Sequence, residues 1–154
     1  MLFLMFQLGQ DRYVLDAAQV EMVLPLLSAK QLPAAPAGVI GAISYHGTPV
    51  PLIDLSLLAL GRPAAPVLST RILLLRYPTG PGEHKLLGLV AERAIETTKR
   101  DPADFVASGV EAGTPPYLGP VAADETGLIQ WIKPEALLPP KIRDILFRQL
   151  TAEP

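Results

Sequence analysis

The chain has 154 residues and a mass of 16.5 kDa, a length typical of one domain that can bury its own core. Apolar residues make up 49% of it, and 13 basic against 15 acidic residues give a formal charge of -2. The basic residues are scattered, which argues against nucleic acid as a partner because phosphate binding needs clustered Lys and Arg. The absence of cysteine excludes disulfides, zinc ribbons and thiol catalysis, and agrees with a reducing compartment.

The first six residues are apolar, but they are not typical of a signal peptide. A basic segment is missing, and the polar residues Gln7, Gln10 and Asp11 follow too soon. We therefore predict a strand over residues 2–8. No apolar run approaches the roughly 18 to 20 residues that cross a bilayer, so we expect a cytoplasmic protein without direct membrane insertion.

The first half of the chain predicts two hairpins and a short helix. Strands are expected at 2–8 and 13–16, followed by a helical turn at 17–20, and again at 39–45 and 48–53, where His46 and Gly47 form the turn. Pro49 and Pro51 cannot donate to a sheet ladder, so the strand that holds them must be an edge strand or must point those positions away from its neighbours. Asp54 fits the N-cap of a helix over 55–60.

The second half predicts five further strands and a terminal helix. The strands are expected at 70–77, 86–91, 94–98, 117–123 and 127–132, with a loop at 78–82 and a surface excursion over 99–116. From Lys141 onward, apolar residues recur at steps of three and four, the pattern of an amphipathic helix: Ile142, Ile145, Leu146 and Leu150.

About nine short strands with few helices indicate an all-β fold rather than βαβ units. We expect one domain over 1–154. Within it, the strand count predicts two small five-stranded β-barrels, at 1–68 and 69–138, followed by a C-terminal amphipathic helix over 140–150.

Catalytic and cofactor motifs are missing from the sequence. It has no nucleotide-binding glycine loop or nucleophile elbow, and its two histidines, His46 and His84, lack metal-ligand spacing. A hydrolase triad could be drawn from Ser44 or Ser69 with His46 and Asp54. Asp124 and Glu125 fit a hairpin turn better than a catalytic pair. We predict no enzyme, no cofactor and no metal; Trp131 is either a core residue or an interface anchor.

Residues 38–55 resemble the signature of the CheW family, which runs roughly G-V-x-N-L-R-G-x-x-V-P-V-I-D-L. Upstream, residues 6–9, 13–16, 20–24 and 32–36 follow the order and spacing of that family. Downstream, residues 88–97 are similar to its second motif, G-L-x-V-D-x-V-x-E-V, with Glu92 in the place of the Asp. The resemblance covers nearly the whole chain.

The resemblance implies two SH3-like barrels and a non-enzymatic adaptor. Such a protein couples the cytoplasmic tip of a methyl-accepting chemotaxis receptor to the regulatory domain of a CheA-type histidine kinase. By the same resemblance, the receptor-binding residues are Val20, Met22, Gly41 and His46.

Two positions depart from the family pattern. His46 stands where the family has Arg, and Met22 stands where it has Glu, with an acidic residue one step earlier at Glu21. An imidazole and a thioether favour apolar contact over a charge-assisted bond. We therefore expect an altered receptor site, of the kind found in a Wsp-like surface-sensing pathway that controls a diguanylate cyclase.

Three other functions stay open from the sequence. The chain could be a module that has lost receptor contact and competes for the kinase, or a structural subunit of a homo-oligomer, which the apolar N-terminal strand suggests. It could also be a small hydrolase or nucleotide-binding enzyme that uses His46.

Overall fold

The computed structural model describes residues 1–107 and 114–151. Strands dominate this part of the chain, which confirms the predicted all-β fold. The strands and α-helices are β1 Leu2–Leu8, β2 Asp11–Asp16, β3 Val20–Pro25, β4 Val39–Tyr45, β5 Thr48–Asp54, α1 Leu55–Leu60, β6 Arg71–Gly80, β7 Glu83–Lys99, β8 Leu118–Asp124, β9 Gly127–Ile132 and α2 Pro140–Thr151. Single 3-10 turns lie at Ala17–Gln19, Pro102–Asp104 and Pro134–Ala136.

The strands form two five-stranded units that share β7. The first, the central sheet, has the order β3-β6-β7-β5-β4, and the second, the terminal sheet, has the order β7-β1-β2-β9-β8. β5 pairs with β7, and β2 with β9, in parallel; the other pairs are antiparallel. Each sheet contains strands from before and from after residue 68. The five-stranded units therefore do not coincide with the sequential segments 1–68 and 69–138 predicted from the sequence.

β7 is one strand of seventeen residues where two strands, at 86–91 and 94–98, are predicted. Its first half pairs with β6 and its second half with β1. Between the two halves the register with β1 shifts, and Arg93 takes a positive φ of 51°. The break that the sequence indicates is therefore a bulge inside a continuous strand.

The loop predicted at 78–82 is shorter in the structure. Pro78 lies opposite His84 and Gly80 opposite Glu83, so β6 continues to Gly80. Only Pro81 and Gly82 remain as the turn. The predicted excursion over 99–116 falls partly on residues 108–113, which are outside the described residues. Its first part contains the 3-10 turn at Pro102–Asp104 and the buried Phe105.

The prolines of β5 sit where the strand has one neighbour. Pro49 lies opposite Ser44 and Pro51 opposite Ala42 on β4, whereas pairing with β7 begins only at Leu52. Their missing N–H groups therefore interrupt no ladder on the β7 side, as the sequence analysis requires.

The apolar side chains form three clusters. One lies between the two sheets and takes alternate residues of β1, namely Leu4, Phe6 and Leu8, against Leu73 and Leu75 of β6. The opposite face of β1, with Phe3 and Met5, belongs to a second cluster on the terminal sheet, and the third lies on the opposite face of the central sheet. Because both faces of β1 are buried, the strand is apolar at nearly every position. Its composition needs no second subunit to cover it.

α1 has the predicted ends, and α2 begins where predicted and ends one residue later. The Asp54 carboxylate accepts a hydrogen bond from Leu57 N at 3.2 Å, and Gly61 ends α1 with a φ of 75°. α2 begins at Pro140 and buries Leu146, Phe147 and Leu150. Within the described residues, neither helix is long and apolar enough to cross a membrane.

Candidate protein-binding site

The β4–β5 hairpin presents His46 at its tip. His46 and Gly47 both have positive φ, 50° and 82°, which matches the twist of a two-residue hairpin. The imidazole is exposed and stacks on the Tyr45 ring, with the ring centroids 4.2 Å apart and the planes 16° from parallel. The turn thus holds a flat aromatic surface toward solvent.

The residues of the hypothetical hydrolase triad do not converge. His46 precedes the first residue of β5, and Asp54 is its last, so about 20 Å of strand separates them. Both Asp54 oxygens accept backbone hydrogen bonds, from Leu57 N at 3.2 Å and Ala64 N at 2.9 Å. Asp54 therefore caps a helix and fixes a loop, and it cannot orient His46.

A bulge in β3 sends Val20 and Met22 to different environments. Val20 lies opposite Leu75 and Met22 opposite Leu74, so Glu21 is an extra residue in β3. Val20 is half-buried and packs against the cluster between the sheets, whereas Met22 has 45% of its surface exposed. Of these two predicted contact residues, Met22 is the more accessible to a partner.

Glu21 has a partner on β6 rather than on the hairpin. Its carboxylate lies 3.8 Å from Arg76 Nε, and Arg76 also donates to the carbonyl of Ala18 at 2.6 Å. Both side chains of this ion pair are more than a third exposed, so it contributes little to stability. The acidic group that remains near the family's Glu position is thus paired with an arginine that the sequence did not single out.

Gly41 is buried, and the surrounding backbone leaves no room for a larger residue at this position. Its φ is 148°, and a Cβ placed there would meet the carbonyl oxygen of Lys30. Lys30 and Ala42, the residue that follows Gly41, exchange two backbone hydrogen bonds. A side chain at Gly41 would disturb this close approach of two backbones. The position shapes the hairpin from within and offers no surface of its own.

Two adjoining clefts lie between β3, the β4–β5 hairpin and α2. The larger has a volume of 590 Å³ and is lined by Glu21, Thr48, Pro49, His84, Lys85, Leu86, Phe147 and Leu150. The smaller has a volume of 280 Å³ and is lined by Lys30, Leu32, Ala42, Ile43, Ser44, Gly47, Pro49 and Leu150. Pro49 and Leu150 border both, so the two form one groove under the end of α2.

None of the predicted contact residues lines this groove. Val20, Met22 and His46 are absent from its walls, but their chain neighbours Glu21 and Gly47 belong to them. Sequence reasoning did not place His84 or Lys85 in a binding site; both lie on β7 and are exposed.

The chemistry of the groove is that of a binding surface. Apolar side chains of β5, β7 and α2 form its walls, and Glu21, His84 and Lys85 supply separate charged or polar groups. The Lys85 amine lies 5.9 Å from the centre of the Phe147 ring. Within residues 1–107 and 114–151, no group of three or more acidic or histidine side chains is arranged to hold a metal.

The fold and groove define a class of all-β protein-binding modules. The family model of the CheW-like domain matches residues 2–140, and the chain therefore belongs to the CheW-like domain family. This domain is a scaffold and adaptor of chemosensory signal transduction, which agrees with the resemblance in the sequence.

A solved structure supports the same fold. The scaffolding protein TtCheW from Thermoanaerobacter tengcongensis is 21% identical, with a TM-score of 0.73, and the match covers 90% of this chain and 87% of that one. The two five-stranded units correspond to the two SH3-like barrels of this fold, as predicted. A comparison with curated proteins returns no match.

Proposed function

We propose that the protein couples a methyl-accepting chemotaxis receptor to a CheA-type histidine kinase, without catalysing a reaction. Family membership supports this role, and the groove beside Met22 and His46 is the observation that carries it. The protein acts in the cytoplasm and reaches the membrane only through the receptor complex.

The receptor tip binds at the groove under α2. Receptor tips are helical, and a helix fits a groove that combines apolar walls with separate polar groups. Pro49, Phe147 and Leu150 provide the apolar walls, while Glu21 and Lys85 provide opposite charges that set the orientation. The whole interface should bury about 1,200–2,000 Å², of which the groove is the centre.

The residues at the Arg and Glu positions of the family adapt this site to a different receptor. Met22 offers a flexible thioether and His46 a stacked imidazole in place of an ion pair. We propose a receptor of the Wsp-like surface-sensing type, with a diguanylate cyclase as the output. Receptor affinity should then depend less on salt than it would with an ion pair at these two positions, because apolar contact replaces that pair.

The test is calorimetric titration of the purified protein against two partners from the same genome. One is the regulatory domain of the CheA-type kinase, and the other is a helical-hairpin peptide of a receptor tip. Met22→Ser is compared with Leu128→Ser, a matched control on the β8–β9 hairpin that is 65% exposed. We expect both partners to bind, and Met22→Ser to weaken only the receptor peptide, about tenfold.

If neither partner gives a binding signal in the titration, the proposed coupling function is wrong. If both bind but Met22→Ser leaves the receptor peptide at full affinity, Met22 is not a receptor contact and the proposed adaptation of the site at that position is wrong. Titration with tip peptides of flagellar and surface-sensing receptors decides between pathways: preference for a flagellar receptor would contradict the Wsp-like assignment.

A further inference from the structure

The terminal turn of α2, residues 148–151, reaches from the helix to the β4–β5 hairpin at the groove. Leu150 borders both clefts, and among the described residues it is the one member of α2 that lines the smaller cleft. Pro49 borders both clefts from the side of the hairpin. The position of Leu150 beside Pro49 therefore decides whether the groove is two clefts or one continuous cleft.

The present position of α2 hides the apolar wall of the groove. Phe147 is 6% exposed and Leu150 is 7% exposed. The polar residues of the larger cleft are exposed, namely Glu21, Thr48, His84 and Lys85. A helix that approaches the groove in this form meets mainly polar side chains. Because buried apolar anchors supply most of the free energy of association, tight binding requires more of the apolar surface than this form offers.

The two ends of α2 are held in different ways. Just before the helix, the buried Tyr77 hydroxyl donates to the Glu135 carbonyl and accepts from Leu138 N. In the middle of the helix, Leu146 is fully buried in the cluster between the sheets. Leu150 is also buried, but it is a member of none of the three apolar clusters of the described residues. Since the last carbonyls of a helix lack partners within it, the terminal turn is the part of α2 that opens most easily.

Movement of the terminal turn leaves the sheets intact. The paired strands of both sheets lie between Leu2 and Ile132. The family model of the CheW-like domain ends at residue 140, where α2 begins. α2 is thus an addition to a complete pair of sheets, and displacement of its last turn breaks no strand pairing.

We infer that the terminal turn of α2 is a gate, which closes the groove in the free protein and moves aside when a receptor helix binds. This inference rests on the proposed coupling function and adds a means of regulating it. An apolar side chain of the receptor helix takes the place of Leu150 against Pro49, while Phe147 remains as a wall. Because only molecules with an open gate bind, the closed state lowers the apparent affinity for the receptor.

Leu150→Ala distinguishes a gate from a fixed wall, because the two roles predict opposite changes. Truncation of a fixed wall removes an apolar contact and weakens binding of the receptor helical-hairpin peptide. Truncation of a gate destabilises the closed state, and we expect the peptide to bind at least about threefold more tightly in calorimetric titration. Ile145→Ala is the matched control on the same helix, because Ile145 is 50% exposed and should not affect binding.

A chemical lock tests the gate in the opposite direction. Glu83 and Arg148 line a separate cavity of 320 Å³, and neither is among the described residues that line the groove. The sequence contains no cysteine, so Glu83→Cys with Arg148→Cys supplies two unique thiols that a short bis-maleimide joins across that cavity. The reference is the same double variant with both thiols capped by N-ethylmaleimide. The cross-linked monomer should bind the receptor peptide at least about tenfold more weakly than this reference.

Two results, each sufficient alone, overturn the inference and leave the coupling function intact. One is a folded Leu150→Ala variant that binds the receptor peptide no more tightly than wild type. The other is equal affinity of the cross-linked protein and its capped reference. If the thermal unfolding midpoint shows that Leu150→Ala does not fold, the cross-linked protein decides the question. If wild type does not bind the receptor peptide, the coupling function itself fails, and the inference fails with it.

Discussion

Arg12 Nη2 lies 2.6 Å from Asp124 Oδ1, and this contact joins β2 to the end of β8. The other oxygen of Asp124 accepts from Arg100 Nη2 at 3.0 Å, so one carboxylate connects three separate parts of the chain. Asp124 also accepts from the backbone N–H groups of Thr126 and Gly127 in the β8–β9 turn. Its side chain is only 14% exposed, so solvent screens these contacts weakly.

Asp124→Asn should destabilise the fold by about 1–3 kcal/mol, because it leaves two arginines without their shared carboxylate. Urea unfolding at neutral pH measures the change. Glu125→Gln is the control, since Glu125 is exposed in the same turn. Equal stability of the two variants would mean that the network contributes nothing measurable.

Asp124 should also make the protein acid-sensitive. The hydrogen bond from Arg12 lowers the pKa of Asp124 well below its ordinary value of 3.8, so the unfolded chain binds the proton more readily than the folded one. Its contribution is complete above that ordinary value and is lost as pH falls. Between about pH 7 and about pH 3, wild type should therefore lose more stability than Asp124→Asn. Parallel loss in both proteins contradicts this assignment.

Gly41→Ala should destabilise much more than Gly47→Ala, although both glycines have positive φ. Gly47 has open space around a Cβ, so its substitution costs only backbone strain, about 1 kcal/mol. At Gly41 the new methyl group also meets the Lys30 carbonyl, and we expect about 3 kcal/mol or more. Urea unfolding of both variants gives the comparison, and similar losses would show that the crowding at Gly41 is unimportant.

Tyr77→Phe should loosen the connection between β6 and the chain that precedes α2. The Tyr77 hydroxyl donates to the Glu135 carbonyl at 3.1 Å and accepts from Leu138 N at 3.3 Å. Losing both hydrogen bonds should lower the free energy of unfolding by about 1 kcal/mol or more and make amide hydrogen exchange in α2 faster. Tyr13→Phe is the control, because no hydrogen bond of that hydroxyl is seen in the described residues. Unchanged exchange in α2 would argue against this link.

The features that the sequence predicts well are local. The Asp54 cap, the Gly61 end of α1 and the His46–Gly47 turn each depend on a few neighbouring residues, and the structure contains all three. The apolar spacing of α2 is equally local. Trp131 is half-buried and packs against the cluster of the terminal sheet, as the core interpretation predicts. Its ring centroid lies 4.8 Å from that of Phe3.

The pairing of distant strands could not be read in this way. The parallel contact of β2 with β9 joins residues more than a hundred positions apart, and no local pattern encodes it. The subdomain boundary predicted at residue 68 rests on the assumption that strands adjacent in sequence belong to the same sheet, and the long-range pairings do not follow that assumption. The groove was missed for the same reason, because it brings together Glu21, Lys85 and Phe147 from distant parts of the chain.

The pairing of β2 with β9 has a consequence for the growing chain. Residues 12–14 find their partners at 129–131, so the terminal sheet cannot assemble until nearly the whole chain has left the ribosome. Until then the first strand, with Phe3, Met5 and Phe6, stays without the layers that cover it. The interval between synthesis of the first and last strands is thus the period of greatest aggregation risk, and binding of a chaperone to the N-terminal hairpin would shorten that exposure.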